Sequence, residues 1–201
     1  MPVDIATPHC PARAHLHGPR DGAPRAALML GHGAGGGISA RDLQAVTAAA
    51  RELGFAVALV EQPYAVAGRR SAAPAHQLDA AWLAVVEHLR AGDLAGLPLI
   101  TGGRSSGARV ACRTAAATGA AGVLCLAFPE HPPGKPEKSR LDELDGVEVP
   151  VLVIQGQADP FGLPPAAAGR EVVVVPGTHS FTRALTGVVE AARGWLMKFV
   201  A

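Results

Sequence analysis

Short runs of apolar residues recur along the chain, and segments with a helical pattern of apolar positions separate them. A continuous apolar run of this length is typical of a strand that is buried on both faces, as in a parallel sheet covered by helices. Six runs have this character: 26–30, 56–60, 97–101, 123–128, 149–154 and 172–175. The alternation of strands and helices predicts a doubly wound or related α/β fold.

The segments between these runs carry apolar stripes at helical spacing. Two stripes predict helices that pack on the core: Leu78, Trp82, Val85 and Leu89 in the first, and Leu185, Val188, Ala192, Leu196 and Phe199 in the second. Residues 39–42 resemble a capping box and predict the start of another helix, which ends at Gly54. Residues 3–17 favour a β-hairpin at the sheet edge. We expect one domain over residues 1–201, with a mostly parallel sheet of about six to seven strands and helices on both faces.

The composition favours a globular protein with a small-molecule partner. Of the 201 residues 49% are hydrophobic and 17% are charged, which is enough to bury a substantial core. Eighteen basic and seventeen acidic residues leave a formal charge of +1, and there is no basic cluster with interleaved aromatic residues. Binding to nucleic acid therefore has no electrostatic support. The sequence carries no indication of oligomeric state.

The sequence predicts a soluble, cytoplasmic protein without a metal site. The first residues have neither a basic start nor a continuous apolar segment, and no run approaches the roughly 18 apolar residues that cross a bilayer. The cysteines, Cys10, Cys112 and Cys125, are odd in number, and the last two lie in helix-like and strand-like segments, which favours buried free thiols in a reducing compartment. Neither Cys-x-x-Cys nor His-Glu-x-x-His occurs, so a zinc site is not expected.

The sequence Gly-x-Ser-x-Gly at residues 103–107 follows one predicted strand directly and precedes a helix-like segment. A strand that turns sharply into a helix through this motif is the nucleophile elbow of serine hydrolases. The two glycines are needed there because side chains beside the turn would collide with the strand and the helix. Ser105 is therefore the candidate nucleophile.

Serine is a weak nucleophile at neutral pH and needs an adjacent base that an acid orients. Asp159 follows the predicted strand 149–154, and His179 follows the next strand, 172–175. The carboxyl ends of parallel strands meet at one edge of the sheet, so we expect both side chains near Ser105. The chain order Ser, Asp, His is the order of α/β-hydrolases.

The developing negative charge of an acyl-transfer reaction needs two backbone donors, the oxyanion hole. The N–H of Ser106, at the start of the helix, is one candidate, and the helix dipole strengthens it. The second is expected from the glycine-rich loop 31–37, where Ala34 is our choice and Gly33 or Gly35 the margin of error.

Taken together, these motifs resemble the α/β-hydrolase superfamily over roughly residues 26–199. The resemblance rests on the segments 32–35, 103–107, 157–160 and 177–180. More narrowly, the Gly-Gly-Arg-Ser elbow and the proline-rich segment 131–136 look like the small dienelactone-hydrolase-like branch, which includes proteins similar to a histone-acetyltransferase-complex subunit. This resemblance implies a compact hydrolase without a large cap domain. We predict that it cleaves an ester-type bond (carboxylester, thioester or lactone) by acyl transfer, a mechanism that requires neither metal nor cofactor. Some relatives are non-catalytic, so a partner-binding protein stays open.

Several residues near these motifs are candidates for substrate contact, most of them on loops at the predicted carboxyl edge of the sheet. They are His32, Gly33, Arg104, His131, Lys135 and Phe161. For His32 the favoured role is to brace the oxyanion loop through hydrogen bonds. Arg104 and Lys135 could meet an anionic substrate group, although solvated charges are as frequent in such loops.

A dinucleotide-binding protein is the main alternative from a different class. Gly31-x-Gly33-x-x-Gly36 matches the nucleotide fingerprint between a strand and a helix, and Glu61 closes the next predicted strand. Glu61 lies 30 residues after Gly31, however, whereas the ribose-binding acid usually follows at about 20. This alternative also leaves Ser105, Asp159 and His179 without a role.

Overall fold

The structure is a computed structural model that describes residues 2–181 and 185–200. An eight-stranded sheet forms the centre of this described part. Its strands are β1 (Pro2–Ile5), β2 (Ala12–His17), β3 (Ala26–Gly31), β4 (Phe55–Glu61), β5 (Leu99–Arg104), β6 (Gly122–Leu126), β7 (Val151–Gly156) and β8 (Arg170–Val175). They lie in the order β1-β2-β4-β3-β5-β6-β7-β8. Strands β3 to β8 pair in parallel, whereas β1 and β2 pair antiparallel.

The predicted parallel sheet is confirmed, and so is the leading hairpin at its edge. The predicted number of six to seven strands is too low. Both arms of the hairpin join the sheet, and β2 pairs along five positions with β4. The two short arms therefore extend the six apolar runs to eight strands.

Helices cover both faces of the sheet, as predicted. They are α1 (Arg41–Glu52), α2 (Pro63–Val66), α3 (Ala75–Ala91), α4 (Ser106–Thr118), α5 (Leu141–Asp145) and α6 (Leu185–Leu196), followed by a 3-10 turn at Met197–Phe199. Helices α1 and α6 pack on one face, and α3, α4 and α5 pack on the other. Leu28 of β3 faces the first layer and its neighbour Met29 faces the second, so successive side chains of the strand are all buried.

The first predicted apolar stripe lies in α3, and the second lies in α6 and the 3-10 turn that follows it. All four residues of the first stripe are buried, and in the second Val188, Ala192 and Leu196 are buried while Leu185 and Phe199 are partly covered. The predicted capping box is wrong. Ala40 precedes α1 without a side-chain cap, and the carboxylate of Asp42 instead accepts from the Leu43 N–H and from Arg104.

The connection from β6 to β7 decides whether the sheet carries a cap. All residues between 127 and 150 are described, and their regular structure is the single five-residue helix α5. The expected compact fold without a large cap domain is therefore confirmed. Within the described part of the chain, no helix combines the length and apolarity that a membrane span requires.

The cysteines match the expectation of free thiols. Cys112 in α4 and Cys125 in β6 are buried with their Sγ atoms 3.5 Å apart, and Cys10 is exposed. The contact with Cys125 and burial both raise the pKa of the Cys112 thiol well above its usual value. Cys112 is therefore a neutral, packed side chain and not a reactive thiolate.

Candidate active site

Ser105 lies on a strained turn between β5 and α4. Its backbone has φ +53° and ψ −109°, a conformation that L-residues rarely adopt, and its N–H donates to the carbonyl oxygen of Leu126 at 2.9 Å. Gly103 and Gly107 flank the turn, and a Cβ at either position would collide with the carbonyl oxygen of Gly31. The two glycines thus allow β5, α4 and the end of β3 to meet closely enough to hold Ser105 in this turn.

His179 and Asp159 come together with Ser105 at the carboxyl edge of the sheet. The Nε2 atom of His179 is 2.9 Å from the Oγ of Ser105, and its Nδ1 atom is 2.8 Å from the Oδ2 of Asp159. With the ring proton on Nδ1, His179 donates to Asp159 and accepts from the serine hydroxyl. Three side chains from three different strand ends therefore form one continuous hydrogen-bonded chain.

The carboxylate of Asp159 is completely buried and receives further donors. Its Oδ1 atom accepts from the N–H of Phe161 at 2.9 Å, and its Oδ2 atom accepts from the Nε2 of Gln155 at 2.9 Å. These bonds compensate the loss of solvation that burial imposes on a charged carboxylate. Asp159 is thereby held in one orientation toward His179.

Gln155 is a site residue that our sequence reasoning missed. It is the fifth residue of β7, fully buried, and its amide nitrogen also lies close to the carbonyl oxygens of Phe128 and Gly162, at 3.1 and 2.9 Å. A signal was present in the sequence: Gln155 is polar and directly ends an apolar run. Such a residue must find partners inside the protein, and here its partners include the candidate acid.

The residues predicted for the oxyanion hole lie at the same opening as the nucleophile. Ala34, Ser105 and Ser106 line one cavity, and Ser106 begins α4. The loop that carries Ala34 closes with a turn in which the N–H of Gly36 donates to the carbonyl oxygen of Gly33 at 3.2 Å. Both candidate donor residues therefore border the cavity that Ser105 also lines.

His32 lies behind this loop and is 98% buried, so it does not line the cavity. Its Nδ1 atom donates to the carbonyl oxygen of Gly33 at 2.8 Å, and its Nε2 atom accepts from the N–H of Gln62 at 3.2 Å. Burial lowers the pKa of His32, which favours the neutral ring that this donor and acceptor pattern requires. His32 thus braces the loop, which is the role that the sequence analysis favoured, and neither His32 nor Gly33 is among the residues that line the cavity.

Arg104, a candidate for either a substrate contact or a solvated charge, has a supporting position. Its Nε donates to the Oδ2 of Asp42 at 2.8 Å, and its Nη2 donates to the backbone oxygen of His179 at 3.0 Å. The Asp42 side chain is 2% exposed, so the pair is shielded from water. Arg104 therefore connects the elbow, the first turn of α1 and the loop that carries His179.

Of the remaining predicted contacts, one lines the cavity. Phe161 does so and packs edge-on against the His179 ring, with ring centroids 4.5 Å apart. His131 has its Nδ1 atom 3.0 Å from the carbonyl oxygen of Pro132, and Lys135 is exposed in a turn; neither lines the cavity. The proline-rich segment 129–140 does border the site, as expected, but through Pro129, Pro133 and Arg140.

The cavity beside Ser105 has a volume of about 290 Å³. Three alanines and a leucine, Ala72, Ala73, Ala75 and Leu78, form much of its apolar wall, together with Phe161 and two prolines. Its charged lining residues are three arginines, Arg109, Arg113 and Arg140, which the sequence analysis did not single out. No Asp or Glu lines this cavity in the part of the chain that the structure describes.

A family model described as an α/β-hydrolase domain matches residues 24–182, which is most of the chain. The chain belongs to the α/β-hydrolase family. This confirms the resemblance that the motifs indicated, and the matched residues include the elbow, Asp159 and His179. A comparison with curated proteins found no match to this α/β-hydrolase.

Several solved structures share the fold over nearly their full length. XC6422 from Xanthomonas campestris, an α/β serine hydrolase without a lid, has 24% identity and a TM-score of 0.82, with 100% of this chain and 94% of that chain covered. Dienelactone hydrolase from Anabaena variabilis has 20% identity and a TM-score of 0.78, covering 100% and 98%. Est1E from Butyrivibrio proteoclasticus has 18% identity and a TM-score of 0.78, covering 99% and 98%.

The residues of the alternative dinucleotide site in this α/β-hydrolase make other contacts. Gly31 packs against the backbone of Gly107, and Gly33 lies beside Ser105 and Arg104. The carboxylate of Glu61, the candidate ribose ligand, is 2.7 Å from the Nε2 of His15. These contacts favour the oxyanion loop over the dinucleotide site. Residues 2–181 and 185–200 hold no cluster of three or more His, Cys, Asp or Glu side chains arranged as metal ligands.

Proposed function

We propose that this α/β-hydrolase is a serine hydrolase that cleaves an ester-type bond, a carboxylester, thioester or lactone, through an acyl-enzyme on Ser105. The observation that carries the proposal is the chain of hydrogen bonds from Ser105 through His179 to Asp159, at 2.9 and 2.8 Å. The strained backbone of Ser105 adds support, since the hydroxyl then stands at the tip of the elbow with the cavity beside it.

In the first half of the proposed reaction, the Oγ of Ser105 attacks the substrate carbonyl carbon while His179 takes the hydroxyl proton on Nε2. Asp159 holds the ring in the required tautomer and stabilises the imidazolium that forms. The carbonyl π electrons move to oxygen, and the N–H groups of Ala34 and Ser106 stabilise that oxyanion. As the tetrahedral intermediate collapses, the bond to the leaving group breaks and His179 returns its proton to the departing oxygen or sulfur.

The second half releases the acyl group. A water molecule gives a proton to His179 and attacks the acyl carbon, and the same two N–H groups stabilise the second oxyanion. Collapse breaks the bond to Ser105 Oγ, which recovers its proton from His179. Phe161 covers one side of the His179 ring, and this contact limits the ring to orientations in which both hydrogen bonds form.

Two neighbouring serines provide a matched test. Ser105→Ala is expected to abolish turnover of p-nitrophenyl acetate above the uncatalysed rate, because no nucleophile remains. Ser106→Ala removes only a hydroxyl and keeps the backbone N–H, so it is expected to retain most of the activity. Equal turnover by wild type and Ser105→Ala would overturn the proposal, and a wild type without any turnover would favour a catalytically silent member of the family.

The proposed mechanism also predicts how the acylation rate depends on pH. The acylation rate should fall as the solution is made more acidic, because a protonated imidazole cannot accept the serine proton. A rate that stays constant from neutral to acidic pH would contradict His179 as the base.

Buried His32 complicates this pH experiment. Its folded-state pKa is lowered, so below its usual value of 6.5 the unfolded chain binds more protons and the folded state loses stability as the pH falls. Unfolding must therefore be followed by circular dichroism over the same pH range. Loss of rate in a protein that is still folded is the result that supports His179.

A further inference from the structure

Three guanidinium groups lie around the cavity next to the candidate nucleophile, and they differ in how their charge is compensated. Ser105, Arg109 and Arg113 are spaced four residues apart along the start of α4 and so lie on one side of the helix. Arg140 reaches the cavity from the segment before α5. All three line the cavity that Ser105 opens into.

Arg109 and Arg113 are paired with carboxylates. Arg109 donates from Nε and Nη2 to the two oxygens of Glu143, at 2.8 and 2.5 Å. Arg113 donates in the same forked manner to Asp79 of α3, at 2.9 and 2.6 Å, and its Nη1 also reaches Glu143 at 3.1 Å. These pairs tie α4 to α3 and α5, so a structural role explains both residues.

Arg140 has no such partner. Among the described residues no carboxylate lies within ion-pair distance of its guanidinium, whose one hydrogen-bond contact is a long one of 3.5 Å to the carbonyl oxygen of Pro129. Burial lowers the pKa of Arg140, and the charges of Arg109 and Arg113 lower it further, against the opposing effect of Glu143, which is itself bound to both of those arginines. Three cations against the two anions Glu143 and Asp79 leave one positive charge at the cavity wall.

We propose that Arg140 forms a binding subsite for a carboxylate, so that the preferred substrates are esters whose acyl chain ends in a carboxylate group. One uncompensated guanidinium matches one monoanion, and the planar fork of arginine fits both oxygens of a carboxylate. The alanine and leucine wall would contact the methylene groups of the acyl chain between the reacting carbonyl and the carboxylate. This inference rests on the proposed serine hydrolase function and names its substrate class.

The test compares half-esters with neutral esters of matched length. The probes are p-nitrophenyl hydrogen succinate, glutarate and adipate, each beside the p-nitrophenyl ester of the straight-chain monocarboxylic acid of equal length. We expect kcat/KM of the wild type to be about 10-fold higher for at least one half-ester than for its neutral partner, mainly through KM. Raising the salt concentration should reduce this preference, because the pair is partly exposed.

Arg140→Gln is expected to remove the preference for the half-ester, because it should lower kcat/KM for the half-ester much more than kcat/KM for the neutral ester. The matched control Arg20→Gln removes an arginine that pairs with Glu52 at the surface, outside this cavity, and should keep the preference. If Arg140→Gln does not fold, the salt dependence of wild-type KM and competitive inhibition by free glutarate decide instead. The subsite is supported if added salt raises the wild-type KM for the half-ester and free glutarate inhibits competitively. Neutral glutaramide should inhibit weakly or not at all.

The outcomes separate the two proposals. If kcat/KM of the wild type is the same for neutral esters and for half-esters, the carboxylate subsite is wrong while the serine hydrolase function stands. If Arg140→Gln lowers kcat/KM equally for both esters, Arg140 is a structural residue and the subsite is again wrong. If wild type hydrolyses neither ester and Ser105 is not labelled by a serine-directed probe, the failure lies with the proposed function itself.

Discussion

The two sides of the candidate site are built differently. On one side Ser105, His179 and Asp159 are fixed from several directions, by an N–H from Phe161, by the amide of Gln155 and by Arg104 on the backbone of His179. On the other side the arginine wall, Arg109, Arg113 and Arg140, is formed by one helix and one irregular segment. We refer to the first group as the catalytic edge and to the second as the arginine wall.

This difference separates positioning from selection. Three hydrogen bonds, from Phe161, Gln155 and His179, hold the carboxylate of Asp159, so small displacements there would disturb the geometry on which the proposed proton transfer depends. The arginine wall keeps one guanidinium uncompensated, which is what a binding surface for a charged substrate group needs. Changes at the catalytic edge should therefore lower kcat for every substrate, and changes at the wall should alter KM for charged ones.

The largest expected effect lies at the catalytic edge. Asp159→Asn keeps the shape of the side chain but removes the charge and favours the wrong tautomer of His179, so kcat for p-nitrophenyl acetate should fall about 10⁴-fold. Asp21→Asn, at an exposed position, is the matched control and should leave the rate unchanged. A loss below about 10-fold would mean that Asp159 does not orient the base.

Two glycines, one on each side of the site, should differ in how much stability is lost when each is replaced by alanine. Gly107→Ala places its Cβ against the backbone of Gly31, and should lower the free energy of unfolding by at least about 3 kcal/mol. Gly134→Ala, in the segment that leads to Arg140, meets open space but has φ +65°, so about 1 kcal/mol is expected. Urea denaturation measures both, and equal losses would contradict the tight packing of the elbow.

A smaller rate effect is expected at Arg104, as a positioning residue. Arg104→Met removes the bond to the backbone of His179 and should lower kcat about 10- to 100-fold, with KM little changed. It also leaves Asp42 buried and unpaired, which costs about 3 kcal/mol of stability. The double variant Arg104→Met/Asp42→Asn should recover much of the stability but not the rate. Recovery of both would show that Arg104 acts only on folding.

The catalytic edge could be predicted from the sequence because its residues follow strand ends in a fixed chain order. The glycines around Ser105 predict a turn, and Asp159 and His179 lie shortly after apolar runs. The direction in which a side chain points cannot be predicted from its neighbours in the sequence alone. Arg104 was a candidate for either a substrate contact or a solvated charge. It pairs instead with Asp42, which lies 62 positions earlier in the chain, and this pairing arises only when α1 packs beside the elbow.

Most of the arginine wall could not be predicted from the sequence in this way. The exception is the helical spacing of two of its residues. The spacing of Ser105, Arg109 and Arg113 places them on one side of a helix, a signal that periodicity contains. Arg140 follows an irregular, proline-rich segment, and no local pattern predicts that it turns toward the cavity. Lys135, in the same segment, carries a similar charge and is exposed.

The most direct test of the central claim is to label the wild type with a fluorophosphonate, digest it and locate the adduct by tandem mass spectrometry. Ser105 and Ser106 are adjacent, so fragment ions must separate the two. We predict one adduct, on Ser105, which disappears in Ser105→Ala and persists in Ser106→Ala. No adduct on the wild type, or an adduct on any serine other than Ser105, would contradict the account.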